Sequence, residues 1–361
     1  MGIQEKIKEL DEELHRTQKN KATEYHIGII KSKLAKLRRE LIAPSKGGGG
    51  GGGGFDVKKN GDATVALIGL PSVGKSTLIT KLTNAESKIA AYAFTTLKCI
   101  PGMMTYKDAR IQVLDLPGII EGAKEGRGRG REVIAVARSA DLLLIMLDAS
   151  YTKQYDLIVG ELEGFGIRVN KKPPDIIVKS TSKGGITINN TVKLTKITPK
   201  EVLAVLNEYG VYNGNVLLRC DATVDDLIDI LDGNRVYLPG LVLINKIDLI
   251  REKNLKALPF DYIPISAEKG TNIEALKERI HASLKFIKLF TKRRGEKADL
   301  EEPLIVKKGI NVAEVCDKLH RDLRKDFKYS LVWGKSVKHA GQRVGLDHVL
   351  EDGDIVSIIK K

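Results

Sequence analysis

Cysteine is scarce in this sequence: the 361 residues contain three, Cys99, Cys220 and Cys316, far apart from one another. No Cys-x-x-Cys pair occurs, and none of His15, His26, His281, His320, His339 and His348 has the spacing of a metal or catalytic set. A disulfide framework and a zinc site are therefore not expected, and a reducing, cytoplasmic location is. Long apolar runs are missing too. The longest aliphatic stretch, Leu142 to Leu147, has six residues, whereas a membrane helix needs about 20. The first residues alternate charged with apolar side chains, which is not the pattern of a signal peptide, and no transit or lipidation motif is evident. Acid is the minority charge, with 46 Asp+Glu against 60 Lys+Arg and a net charge of +14. That excess points to an acidic partner such as RNA, although it also serves solubility alone. Hydrophobic residues at 42% and charged residues at 29% are ordinary for a globular chain, and the length predicts two or three domains.

Residues 1–46 read as a helical hairpin. Ile3, Ile7, Leu10 and Leu14 make one stripe, and Ile30, Leu34, Leu37 and Leu41 make another. The basic residues of the second half (Lys31, Lys33, Lys36, Arg38, Arg39) read as a solvated face. Gly47 to Gly54 is an unbroken run of eight glycines, which has nothing to bury and reads as a flexible linker. Residues 55–164 then alternate strand and helix signals, with apolar runs at Thr64–Ile68, Arg110–Leu114 and Leu142–Leu147; residues 236–292 resume the pattern at Leu241–Ile244 and Tyr262–Ile265. Strands separated by helices predict an α/β domain with a mostly parallel sheet and helices on both faces. Residues 165–235 carry their own short strands, at Ile176–Lys179, Ile186–Ile188 and Val216–Cys220. They also carry a capping box at Thr198-Pro199-Lys200-Glu201 and a helix opened by Thr223, and so read as an inserted α+β subdomain. A charged linker at 293–302 precedes a compact α+β module at 303–361.

The strongest chemical signal is Gly69-Leu70-Pro71-Ser72-Val73-Gly74-Lys75-Ser76, followed by Thr77. It matches G-x-x-x-x-G-K-[ST] between a strand and a helix, where converging backbone N–H groups and a helix N-terminus cradle phosphate. Lys75 would reach the β- and γ-phosphates, and the Ser76 hydroxyl would ligate Mg²⁺. The second signal is Asn245-Lys246-Ile247-Asp248 after the strand Leu241–Ile244. A carboxylate at Asp248 accepts from the ring N–H and the exocyclic amine of guanine, donors that adenine does not present together. Ser266-Ala267, after the next strand, would offer a backbone N–H to the guanine oxygen. Between these lies Asp115-Leu116-Pro117-Gly118, with Asp115 expected to hold Mg²⁺ through water and the Gly118 N–H to sense the γ-phosphate. Of Thr95 and Thr96, Thr96 is expected to complete the Mg²⁺ shell. GTP and GDP are the expected ligands.

The run from Asp115 through Ile119, Glu121, Gly122, Arg127 and Arg129 to Gly130 resembles the Obg-related translation-factor GTPases, above all the developmentally regulated GTP-binding proteins. Phe94-Thr95-Thr96-Leu97 fits that group, as do the stretches Thr17 to Ala22, Glu163 to Ile167, Asp225 to Asp229 and Leu331 to Gly334. The resemblance implies a P-loop GTPase domain with an N-terminal helix-turn-helix segment, an inserted subdomain and a C-terminal TGS domain of β-grasp type. It also implies slow GTP hydrolysis linked to translation and ribosomes, and a stabilising partner protein. Ile119 stands where Ras-like enzymes carry the glutamine that orients water, so hydrolysis is expected to use another group, a monovalent cation or a partner; Lys75, Thr96 and Gly118 are the catalytic candidates. Some related GTPases hold K⁺ with a P-loop asparagine; Ser72 stands there, which leaves K⁺ dependence open. Arg127, Arg129 and Arg131 are expected to face solvent, RNA or an acidic partner rather than phosphate. Trp333, near Lys335, Lys338 and His339, reads as core, with base stacking as the alternative. Against the switch stands a binding module in which RNA or ribosome contact is constitutive and nucleotide only stabilises the fold.

Overall fold

The computed structural model describes residues 2–18, 20, 22–42, 61–83, 101–116, 129–250, 258–293, 295–320 and 322–360. The glycine run and Thr95, Thr96, Gly118, Ile119 and Arg127 lie outside them, as do the side chains of Arg129 and Arg131.

The hairpin consists of helices Ile3–Arg16 and Glu24–Ile42. Asn20 makes the turn, its side-chain oxygen accepting from the N–H groups of Ala22 and Thr23 at 3.0 Å each. The first helix buries no residue fully, while the second buries Ile27, Ile30 and Leu34. An amphipathic stripe needs a cover, and here it is the inserted subdomain: the second helix packs along helix Pro199–Glu208, with Gly28 against Ala204 and Val205. The basic face is consequently not simply solvated. Lys31 pairs with Asp225 at 2.7 Å, Lys36 with Glu208 at 3.2 Å and Arg39 with Asp232 at 3.1 Å.

Strands β1 (Ala63–Ile68), β2 (Pro101–Tyr106), β3 (Ala109–Asp115) and β4 (Leu142–Asp148) open the main sheet. Strand β5 (Ile167–Val169) leads into the insert, which contributes β6 (Ile176–Ser180), β7 (Ile186–Asn190) and β8 (Gly214–Leu218). Strand β9 (Val236–Leu238) returns, and β10 (Gly240–Asn245) and β11 (Ile263–Pro264) complete the main sheet in the order β11-β10-β4-β1-β3-β2. All its neighbours are parallel except β2 and β3. Strand β1 is buried throughout, which is why it reads as an unbroken apolar run. The antiparallel edge strand β2 was not anticipated. Its turn residues Lys107 and Asp108 both have positive φ, the geometry of a two-residue hairpin, without the Asn-Gly chemistry that announces one.

In the insert, β8 lies between β6 and β7, and helices Pro199–Glu208 and Val224–Asp232 cover one face. Both helices start at capping boxes: the Glu201 N–H donates to Thr198 Oγ1 at 3.3 Å and the Asp226 N–H to Thr223 Oγ1 at 3.2 Å. Thr223→Ala is expected to lower stability by about 1 kcal/mol in urea unfolding, since it orphans the Asp226 N–H; an unchanged midpoint would contradict this. The insert begins later than position 165. Strand β5 pairs in parallel with β9, and Ile167 and Val169 lie in the core of the main domain.

The C-terminal sheet also starts elsewhere than expected. Its strands are β12 (Phe286–Thr291), β13 (Asp299–Lys307), β14 (Phe327–Trp333), β15 (Gln342–Val344) and β16 (Ile355–Lys360), ordered β13-β12-β16-β14-β15 around helix Val312–Leu319. Thus 286–291 belongs to this sheet rather than to the main domain, and 299–302 is strand rather than linker. Their charged composition hides the strand because Leu300 and its neighbours are exposed. Trp333 is half-buried, outside the buried core, with the Lys292 ammonium 4.7 Å from its ring centroid. Ile305 reaches into the core of the main domain, flanked by ion pairs Lys288–Asp108 at 2.6 Å and Lys318–Asp62 at 3.0 Å. This module therefore sits where the parallel strands begin.

Candidate functional site

The opposite edge, where β1, β3, β4 and β10 end, gathers the motif residues. The crevice at the carboxyl ends of parallel strands is where open α/β sheets bind ligands. After β1 the chain makes the loop Gly69 to Gly74 and enters helix Lys75–Leu82. Ser72 and Gly74 have φ of +62° and +97°. At Gly74 the requirement for glycine is double, because a Cβ would also come within 2.5 Å of Asn245 Nδ2. Pro71, Ser72, Ser76 and Thr77 are exposed, and Val73 is buried beneath the loop. The Lys75 ammonium donates to the carbonyls of Gly69 and Leu70, each at 2.9 Å, and so lies across the loop.

Asp115 ends β3 beside this loop and is 8% exposed. Its Oδ2 accepts from Ser76 Oγ at 3.4 Å, whereas the buried Oδ1 has no hydrogen-bond partner among the described residues. Burial pushes the carboxyl above its ordinary pKa, and Lys75 and Ser76 act in the opposite direction. A buried carboxylate oxygen without a donor beside a serine hydroxyl fits the oxygen donor set of Mg²⁺.

Asn245 joins two motifs that lie far apart in sequence. Its Nδ2 donates to the Val73 carbonyl at 2.7 Å, and its Oδ1 accepts the Ala267 N–H at 2.9 Å. Of the backbone N–H groups that Ser266-Ala267 would offer to a guanine oxygen, that of Ala267 is thus engaged by Asn245 and that of Ser266 by the Thr271 carbonyl at 3.3 Å. Lys246, in the left-handed region with φ of +65°, donates to the Ser72 carbonyl at 2.8 Å and pairs with Asp148 at 2.8 Å. Asp248 is half-buried, with Lys269 at 3.8 Å. A hydrogen bond from Ser266 holds its carboxyl below the ordinary range, with Lys269 adding to the effect. Ser266 is itself fully buried and bridged to Thr271.

Two contributors escaped the sequence reading, Asp148 and Lys269. Asp148 closes the apolar run Leu142 to Leu147, and a lone acid at the end of a buried strand was the available signal. Burial raises its carboxyl pKa, but Lys246 and the Ser150 N–H more than offset this and hold it below the usual value.

A phosphate loop, an Asp115–Ser76 pair and an Asn-Lys-x-Asp segment on one edge of a mostly parallel sheet define a P-loop GTPase. Three family profiles match in succession: the 50S ribosome-binding GTPase over 64–180, the C-terminal region of that domain over 183–286, and the TGS domain over 287–360. An uncharacterized GTP-binding protein of Methanocaldococcus jannaschii is 52% identical over 368 aligned residues, covering 100% of this chain and 94% of its own. Human developmentally-regulated GTP-binding protein 2 is 50% identical over 364, with 100% of each chain covered. The solved YchF GTPase of Schizosaccharomyces pombe is 17% identical with a TM-score of 0.43, covering 84% of this chain and 99% of that one. The chain belongs to the family of developmentally regulated GTP-binding proteins.

Proposed function

We propose that this protein binds GTP and GDP with Mg²⁺, hydrolyses GTP slowly, and acts in the cytoplasm as a switch on a ribosomal or RNA target. The observation that carries the reading is the bridge through Asn245, which holds the phosphate loop and the guanine segment in one site. In this reading Lys75 leaves the Gly69 and Leu70 carbonyls and turns to the β- and γ-phosphates. The loop N–H groups from Pro71 to Thr77 that can donate cradle the same oxygens. Ser76 would hold Mg²⁺ directly and Asp115 through water, and the ion would supply charge neutralisation at the phosphates. Asp248 accepts from the guanine ring N–H and amine, and stays ionised because its pKa is depressed. Thr96 and Gly118 keep the roles that the resemblance implies.

No side chain able to orient water stands at Ile119. The isolated chain is therefore expected to turn over GTP below about 1 s⁻¹, beneath the rates of assisted GTPases. Single-turnover assays measure this, and faster hydrolysis would contradict it. The link to the ribosome rests on the net charge of +14 and on the profile described as a 50S ribosome-binding GTPase. Co-sedimentation with ribosomes in GDP and in a non-hydrolysable GTP analogue, at two salt concentrations, tests it. Salt-sensitive binding that depends on nucleotide supports the switch. Equal binding in both states supports the constitutive module instead, and no binding in either points to a missing protein partner.

A further inference from the structure

We propose that Arg138 is the joint through which the nucleotide state reaches the inserted subdomain and the N-terminal hairpin. This rests on the GTP reading above. Arg138 lies in the last turn of helix Arg129–Ser139, the first described element after the Asp115 motif. Its guanidinium donates to the Phe165 carbonyl at 2.9 Å, the Asn234 carbonyl at 2.8 Å and Asn234 Oδ1 at 2.7 Å. Phe165 lies just before β5, the strand that leads into the insert, and Asn234 just before β9, the strand that returns from it. One side chain thus holds both crossings.

The surroundings leave this fork little freedom. Gly166 has φ of +76°, and a Cβ there would meet Arg138 Nη1 at 3.1 Å and Arg235 Nη1 at 2.7 Å. From Asn234 the connection continues through charges. Arg235 pairs with Asp229 at 2.7 Å and Asp232 at 3.0 Å. Arg168 clamps Asp229 with two bonds of 2.6 Å, and Asp232 accepts Arg39 of the hairpin. The two aspartate side chains are 3% and 0% exposed, so their pairs with Arg168 and Arg235 are poorly screened. The second hairpin helix also touches helix Arg129–Ser139 directly.

The joint has room to work. A partly open groove of about 380 Å³ lies between hairpin, insert and main domain, lined by Arg38, Lys31, Asp225, Gly160 and Lys171. Around the groove the bodies meet through side-chain ion pairs such as Lys31–Asp225 rather than through core packing alone, so a small shift there would be borne by these pairs. A shift of this helix along its axis would be felt at both crossings together, through the one guanidinium. Lysine at position 138 keeps the charge and loses the planar fork, so it cannot hold both crossings in one geometry.

Hydrogen exchange on the full chain tests the proposal, with GDP and with a non-hydrolysable GTP analogue, for wild type, Arg138→Lys and Arg138→Ala. In wild type, exchange at 165–169 and 234–238 is expected to differ at least about threefold between the two nucleotides. In Arg138→Lys that difference disappears, while amides of helix Lys75–Leu82 keep theirs. A merely structural arginine would change exchange equally in both states. The proposal is overturned if the difference survives in Arg138→Lys, or if wild type lacks it while its phosphate-loop helix responds. Should that helix ignore nucleotide in wild type, the GTP reading fails and this inference with it. The lysine variant carries the test if alanine prevents folding.

Discussion

Replacing Lys75 by alanine is expected to weaken GTP and GDP binding about a thousandfold, a loss of about 4 kcal/mol, because one partner of a desolvated charge pair is removed. The remaining phosphate charge would face only backbone dipoles and the helix N-terminus. Stability without nucleotide should change by about 1 kcal/mol, since Lys75 there donates to the carbonyls of Gly69 and Leu70, at the rim of the loop, and lies near the Asp115 carboxylate. Titration calorimetry and thermal unfolding on one preparation separate the two effects. Affinity within tenfold of wild type would remove Lys75 from the phosphate site.

Asp248→Asn is expected to exchange the base preference. The amide cannot accept from both guanine donors, so GTP affinity should fall on the order of a hundredfold or more. Xanthine carries a carbonyl where guanine carries its amine, and the new amide N–H can donate to it, so XTP should become the better ligand. Competition among GTP, XTP and ITP reads this directly. The depressed pKa of Asp248 sets a pH expectation as well. The wild-type preference for guanine should be constant through neutrality and decline only as pH falls through the depressed value. A variant that still prefers GTP over XTP would place guanine recognition elsewhere.

Much of the site is legible in the sequence because its geometry is local. A phosphate loop needs glycines, lysine and serine at fixed offsets between a strand and a helix, and Gly69 to Ser76 provide all of them within one turn of chain. The capping boxes at Thr198 and Thr223 are equally local. What the loop requires at long range is not legible in this way. Gly74 looks like a phosphate-loop glycine, yet the structure adds a second demand on it, from the Asn245 amide. Ser266-Ala267 looks like a source of one backbone donor to guanine, yet the Ala267 N–H serves Asn245 and the Ser266 N–H serves Thr271. Strand β2 and the start of the C-terminal sheet were missed because neither has an alternating apolar pattern strong enough to stand out beside exposed or turn residues.

By itself the sequence determined the chemistry of the phosphate loop, the guanine preference inferred from Asn245 to Asp248, the parallel sheet and the amphipathic hairpin. Each of these depends on residues within a few positions of one another. Only the tertiary structure decided what covers the hairpin, where the C-terminal module docks, and that Arg138 ties both crossings of the insert. Periodicity shows that a helix face is apolar, but not which distant surface will meet it. A half-buried arginine looks like any other until its acceptors, Phe165 and Asn234, are brought to the same place by the path of the chain.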